Sequence, residues 1–157
     1  MAELRTILEE LKCRQVQTVL QSGNVVFQSS VRSAARLAAS ITTAIEERFS
    51  FAPAVLLLTA DAVRQAVVDN PFPTDTADGS TLHYYFLDEP ASEPDVTRLE
   101  QLAAGAERWH LQEQVFYLWA PDGIGRSKLA ASVERCLGVT TTARNQKTVD
   151  RLLALLD

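Results

Sequence analysis

The sequence lacks several features that would assign it to a familiar class. No apolar run approaches the length of about 18 residues that a membrane-spanning helix needs, and no segment has the pattern of a signal peptide. We therefore expect a soluble, cytoplasmic protein. The two cysteines, Cys13 and Cys136, lie far apart and outside any C-x-x-C pattern, which argues against a disulfide framework and against a zinc site. No metal or other cofactor is predicted.

Basic residues are scarce in the middle of the sequence, and charge is unevenly distributed along it. The net charge is −5, and residues 60–119 contain 11 acidic and 3 basic side chains. Phosphate neutralisation supplies much of the affinity for nucleic acids, so this balance argues against a nucleic-acid partner. Residues 120–157 contain 6 basic and 4 acidic side chains. Only this last quarter of the chain offers an anion a favourable surface.

The first half has the pattern of a helix, a hairpin, a second helix and a strand. Alternating segments on either side of residues 22–23, Ser-Gly, predict a hairpin with a two-residue turn. In that register Leu20 lies opposite Val25, and Thr18 lies opposite Phe27. The expected elements are a helix at 2–12, strands at 15–21 and 24–29, a helix from a Ser30 cap to about 49, and a strand at 53–58.

The second half has the strand and helix order β-α-β-β-α-β, which is the signature of a ferredoxin-like sandwich. A turn-rich linker, NPFPTDTADGS at 70–80, precedes it. The expected elements are strands at 82–87, 108–111, 115–119 and 139–143, and helices at 94–103, from about 127 to a Gly138 C-cap, and beyond 145.

The first half repeats this order without its first strand. The sequence therefore predicts the α+β class, with two ferredoxin-like (α/β plait) halves of which the first misses its first strand. We expect an N-terminal half at 1–59, a connecting helix and linker at 60–80, and a C-terminal half with an extra helix at 81–157.

Four motifs in order resemble the family called domain of unknown function (DUF) 1697. They are QSGNVVF at 21–27, NPFP at 70–73, YLWAPDGIGRSKL at 117–129 and TARNQKTVDRLLAL at 142–155. The resemblance implies a two-part ferredoxin-like architecture and no particular activity. Members of that family usually begin with a strand and a glycine-containing turn, whereas this sequence begins within the corresponding first helix.

Two interpretations of that difference stay open. The sequence is an N-terminal truncation, or the strand at 53–58 pairs directly with the strand at 24–29, as a parallel pair joined by a helical crossover. In either case the open sheet offers a route to oligomers.

The segment PDGIGRSK at 121–128 has the layout of an anion site. Gly123 and Gly125 let the backbone turn closely, a helix begins at Ser127, and Arg126 and Lys128 add positive charge. The spacing differs from that of a P-loop. The alternative is a tight connection in which Ser127 caps the helix, and this alternative is favoured.

The predicted topology brings further residues to the same end of the sheet. The third and fourth strands of the second half run parallel, so the segments that follow them lie about 10 Å apart. Arg144, Asn145 and Lys147 then lie near 121–128, with Asn145 capping the last helix, and His83 begins the strand between them. Helix caps and solvated cations are the simpler interpretation.

Three functions are compatible with these residues. The leading hypothesis is a module that binds a small ligand bearing phosphate or carboxylate. A protein–protein interaction or structural domain that uses its exposed sheet is the second. An enzyme is the third and less favoured, since His83, Asp122 and Ser127 are its only nearby candidate groups.

Overall fold

The computed structural model describes residues 1–19, 21, 23–74 and 79–157. The chain divides into two compact units, one of residues 1–60 with 151–157 and one of residues 61–150. The elements confirm the α+β class. None of the helices in the described ranges combines the length and the apolar character that crossing a bilayer requires.

The first unit is built on a hairpin and two helices. Its elements are α1 (Ala2–Glu10), β1 (Arg14–Val19), β2 (Asn24–Gln28) and α2 (Ala34–Phe49). Its core consists of apolar side chains from both helices and the hairpin, namely Ile7, Leu8, Cys13, Val16, Leu37, Ile41 and Ile45. Leu37, Ile41 and Ile45 of α2 are spaced by four. Ile7 and Leu8 of α1 form one helical face with the partly buried Leu4 and Leu11, at i, i+3, i+4 and i+7.

The predicted hairpin register is wrong by two residues. Thr18 pairs with Val25 and Val19 pairs with Asn24, whereas the predicted register paired Thr18 with Phe27. Gly23 has a φ of +79°, which only glycine adopts without strain. A shift of two keeps each side chain on its face because the side-chain period of a strand is two. The expected positions Leu20 and Ser22 lie outside the described residues.

The second helix begins later than predicted. Its cap is Ser33 and not Ser30, since the Ser33 Oγ accepts a hydrogen bond from the Arg36 N–H at 3.2 Å. Ser33 has the extended backbone that an N-cap requires, with φ −90° and ψ 107°. Three residues before it therefore stay outside the helix.

The strand predicted at 53–58 is not formed. The described backbone there is irregular, and within the described ranges β2 pairs with β1 alone. The interpretation in which 53–58 pairs with 24–29 is therefore wrong. Val55 and Leu57 still pack against the first core. The apolar pattern of 53–58 correctly predicted that side chains of this segment pack against the core. A strand also needs a hydrogen-bonding neighbour, which the pattern does not supply.

The second unit confirms the predicted ferredoxin-like order. Its sheet has the order β4-β5-β3-β6, and every neighbouring pair is antiparallel. The elements from the connecting helix onward are α3 (Ala60–Val68), β3 (Leu82–Leu87), α4 (Val96–Leu102), β4 (Arg108–Gln112), β5 (Val115–Trp119), α5 (Lys128–Leu137), β6 (Thr141–Asn145) and α6 (Gln146–Leu156).

One face of this sheet carries α4 and α5. Tyr85 and Leu118 of the sheet pack there with Leu99 of α4 and Leu129 and Val133 of α5. Alternation along each strand sends the intervening residues to the opposite face, which we call the far face. The far face carries Tyr84 and Tyr117, and the Tyr117 hydroxyl donates to the Ala66 carbonyl of α3 at 2.6 Å.

The last strand lies two residues later than predicted. Gly138 ends α5 in the left-handed conformation, with φ 70°, as expected. The Thr141 N–H then donates to the Glu134 carboxylate at 2.8 Å, and β6 begins at Thr141. Arg144 and Asn145 consequently belong to the strand and not to a loop.

Candidate functional site

The candidate site is built at one edge of the four-stranded sheet. Both β5 and β6 are antiparallel to β3, and they are therefore parallel to each other. Trp119, at the end of β5, pairs with Leu82, and Asn145, at the end of β6, pairs with His83. The two strand ends flank the start of β3, with about 10 Å between them.

The connection from β5 to α5 is a tight turn with an open outer surface. Gly123 has a φ of +88°, and its N–H donates to the Ala120 carbonyl at 2.9 Å. A Cβ added at Gly123 or Gly125 would meet no atom within 4 Å in the described residues. Ile124 packs against the core and fixes the turn. The outer surface of the turn is therefore open at both glycines.

The start of α5 leaves backbone donors available. Ser127 caps the helix, as predicted, and its Oγ accepts from the Ala130 N–H at 3.0 Å. In the described part of the chain, the N–H groups of Lys128 and Leu129 have no acceptor outside the helix. Arg126 and the Lys128 side chain are exposed, and the described residues hold no ion pair to either. An anion there meets two donors, two cations and the positive end of the helix dipole.

The start of α6 is partly covered by the chain before β3. Asn145 caps α6, as predicted, because its Oδ1 accepts from the Thr148 N–H at 3.0 Å. The Lys147 N–H donates to the Gly79 carbonyl at 3.3 Å, and a Cβ added at Gly79 would lie 3.3 Å from the Lys147 Cβ. This helix therefore has fewer free donors than α5, while the Lys147 side chain stays exposed.

Arg144 lies on the far face. Its guanidinium donates to the Thr142 Oγ1 at 2.8 Å and to the Ala143 carbonyl at 2.7 Å. Both acceptors precede it in β6, so these bonds direct the guanidinium back along the strand. Burial lowers the pKa of Arg144 from its usual value. These two bonds engage the guanidinium on the far face.

His83 lies on the helix-bearing face, between its ladder partners Leu118 and Asn145. Its side chain is 7% exposed, and the Nδ1 atom has no hydrogen-bond partner among the described residues. Burial lowers the pKa of His83, which keeps the imidazole neutral at pH 7. The sheet thus separates His83 from Arg144.

A buried polar chain on the far face was not predicted. The Tyr84 hydroxyl donates to the Gln146 Oε1, and the Gln146 Nε2 donates to the Asp150 carboxylate. Burial raises the pKa of Tyr84, and it raises the pKa of Tyr117 to about 12. The sequence contained one signal for this chain: alternation along β3 and along β5 assigns Tyr84 and Tyr117 to the same face of the sheet. The same described residues contain no group of three potential metal ligands.

Comparison with known proteins gives a family and a fold. The model of a family described as "Protein of unknown function (DUF1697)" matches residues 1–117. The solved structure of a conserved bacterial protein from Streptococcus pneumoniae is similar to the chain, with a TM-score of 0.70 and 23% sequence identity. The similarity covers 100% of this chain and 88% of that chain. Among curated proteins, none matches the sequence. At this identity the structural likeness shows the fold alone.

Proposed function

The chain belongs to DUF1697, a family of unknown function, and we propose that it is a module that binds a small anionic ligand. The ligand carries a phosphate or a carboxylate, which binds at the start of α5. The binding residues are the backbone and side chains of Gly123, Gly125, Arg126, Ser127 and Lys128, with Lys147 at the neighbouring strand end.

One observation carries the proposal: β5 and β6 end at the same edge of the sheet, and Arg126, Lys128 and Lys147 follow these two ends in the sequence. A protein with a net charge of −5 has few places where an anion meets a positive surface. Here Arg126 and Lys128 lie beside the helix N-terminus that also attracts negative charge. Arg126 is suited to a phosphate or carboxylate because its planar fork donates two parallel hydrogen bonds.

The affinity expected for a minimal ligand is weak. Charge-assisted hydrogen bonds contribute about 1.5–3 kcal/mol each, and a helix terminus adds about 0.3–1 kcal/mol. Two such bonds and the terminus give about 3–7 kcal/mol, which corresponds to a Kd between the order of 10 mM and the order of 10 μM. A larger ligand binds more tightly if its remaining atoms also contact the turn.

An NMR titration with inorganic phosphate and with a nucleoside monophosphate tests the proposal. We expect saturable amide shifts at residues 123–130, and a loss of at least tenfold in affinity when Arg126→Gln and Lys128→Gln are combined. The matched control is Arg135→Gln, which removes an exposed cation from the last turn of the same helix. Equal binding by the double variant and the control would refute the proposal.

A partner-binding sheet is the second candidate. In the described residues β1 and β2 pair only with each other, so each has a second edge without a ladder partner. Such an edge accepts a strand from another chain. Sedimentation over a range of concentrations tests this function. A single monomeric species throughout argues against self-association, and a proline at Val26, on β2, should abolish any dimer that is seen.

A further inference from the structure

A cleft in the first unit has the character of a second, independent binding site. Its volume is about 580 Å³, within the range of about 300–1,000 Å³ found for ligand clefts. The cleft is formed where Leu11, after α1, approaches the segment 31–40 at the start of α2. All of these residues belong to the unit of residues 1–60 with 151–157.

The lining of the cleft combines an apolar part and a cationic part. Leu11, Val31 and Leu37 supply the apolar part. Val31 is 42% exposed, whereas Leu37 is 6% exposed and joins the core below. An apolar group in the cleft would cover Val31 and gain about 25 cal/mol for each Å² removed from water.

The cationic part consists of Arg32 and Arg36, both exposed. In the described part of the chain neither guanidinium makes a hydrogen bond or an ion pair. Arg48, farther along the same helix, differs, because it is paired with Glu10 at 3.2 Å. The first turn of α2 contains no acidic residue that could neutralise Arg32 and Arg36.

One of the two hydroxyl groups of the cleft is free to donate. The Ser33 Oγ already accepts a hydrogen bond from the Arg36 N–H at 3.2 Å, so its own proton is available to an acceptor in the cleft. Ser40 instead donates its proton to the Arg36 carbonyl at 3.1 Å and has no second one for a ligand. Arg32, Ser33 and Arg36 therefore present donors and positive charge to a ligand.

We propose that this cleft binds a small amphipathic anion: an alkyl or acyl chain against Val31 and Leu37, and a carboxylate or phosphate head against Arg32 and Arg36. Guanidinium groups match both heads in a two-bond geometry. This site lies in the other unit from the edge at α5, and neither site depends on the other.

The test uses the full chain carrying Arg126→Gln and Lys128→Gln, so that the edge site does not respond. Octyl phosphate below its critical micelle concentration, inorganic phosphate and octanol are titrated into the protein in separate experiments. The amide chemical shifts are measured in each. We expect saturable shifts at residue 11 and at 31–40, with an affinity for octyl phosphate at least tenfold higher than for either other probe.

Variants within α2 separate the proposal from unspecific detergent binding. Arg32→Gln combined with Arg36→Gln should weaken octyl phosphate at least tenfold, whereas Arg48→Gln should leave it unchanged. We expect the double variant to fold because the side chains of Arg32 and Arg36 are exposed. Circular dichroism measures whether it does. The proposal is overturned if the double variant and Arg48→Gln bind equally, or if inorganic phosphate matches octyl phosphate. A response to anionic lipid vesicles alone, without one to the monomer, also overturns it.

Discussion

Replacing His83 with leucine tests the electrostatic consequence of its burial. The imidazole is 7% exposed on the helix-bearing face, with Leu118 opposite it in the ladder, and Nδ1 has no partner among the described residues. A buried polar atom without a hydrogen bond costs about 1–3 kcal/mol. Leucine has a similar size and no polar atom, so we expect His83→Leu to be at least as stable as the wild type at pH 7.5.

The pH dependence follows from the direction of the pKa shift. Burial lowers the pKa of His83 below its ordinary value of 6.5. Below pH 6.5 the unfolded chain therefore binds a proton that the folded chain does not bind, and the free energy of unfolding decreases as pH falls towards the folded pKa. The contribution of neutral His83 to the free energy of unfolding is fully present only above pH 6.5, the ordinary pKa that the unfolded chain retains. One proton changes stability by at most about 1.4 kcal/mol per pH unit, so the wild type loses up to about 1.4 kcal/mol between pH 7.5 and 5.5 through this group.

Urea denaturation followed by tryptophan fluorescence measures this difference, since Trp109 and Trp119 lie in the same unit as His83. The wild type should lose more stability than His83→Leu between pH 7.5 and 5.5. The control is His110→Gln, which replaces the other, exposed histidine, so that the effect of losing any histidine can be compared with that of His83→Leu. Parallel curves for wild type and His83→Leu would refute the lowered pKa. A leucine variant that is less stable by 2 kcal/mol or more would show that Nδ1 has a partner.

Substitutions at three further positions test contacts within the second unit. Gly79→Ala should cost about 1–2 kcal/mol in urea unfolding, because the position has a φ of +59° and the new Cβ meets Lys147 at 3.3 Å. Asn145→Ala should cost about 1 kcal/mol through loss of the α6 cap, and Asn145→Asp should restore most of it. Tyr117→Phe should cost about 1–3 kcal/mol because the buried Ala66 carbonyl loses its donor, and a change below 0.5 kcal/mol would contradict that bond.

Local signals in the sequence predicted the elements with few errors in the second unit. The strand at 82–87 has the predicted bounds, and Ser127, Asn145 and Gly138 occupy the predicted caps. Caps depend on contacts within three or four residues, and strand faces depend on a period of two. The β-α-β-β-α-β order then restricted the sheet to a known arrangement, which correctly made β5 and β6 parallel.

The wrong predictions concern features that depend on a hydrogen-bonding partner elsewhere in the chain. The hairpin pairs Thr18 with Val25 and not with Phe27, and its register is irregular between Arg14 and Gln17. The segment 53–58 has the apolar pattern of a strand, and burial satisfies that pattern without a ladder. Apolar alternation indicates which side chains are buried, but it does not supply the hydrogen-bonding neighbour.

For the candidate site, the sequence by itself determined the glycine turn, the helix that follows it and the common edge of β5 and β6. Only the tertiary structure decided which residues face that edge. It directs the Arg144 guanidinium back along its own strand, places His83 on the opposite face, and covers part of α6 with Gly79. Strand order is restricted by short-range pattern and topology, whereas the direction of a long side chain is set by hydrogen-bond acceptors and by packing that the linear sequence does not bring together.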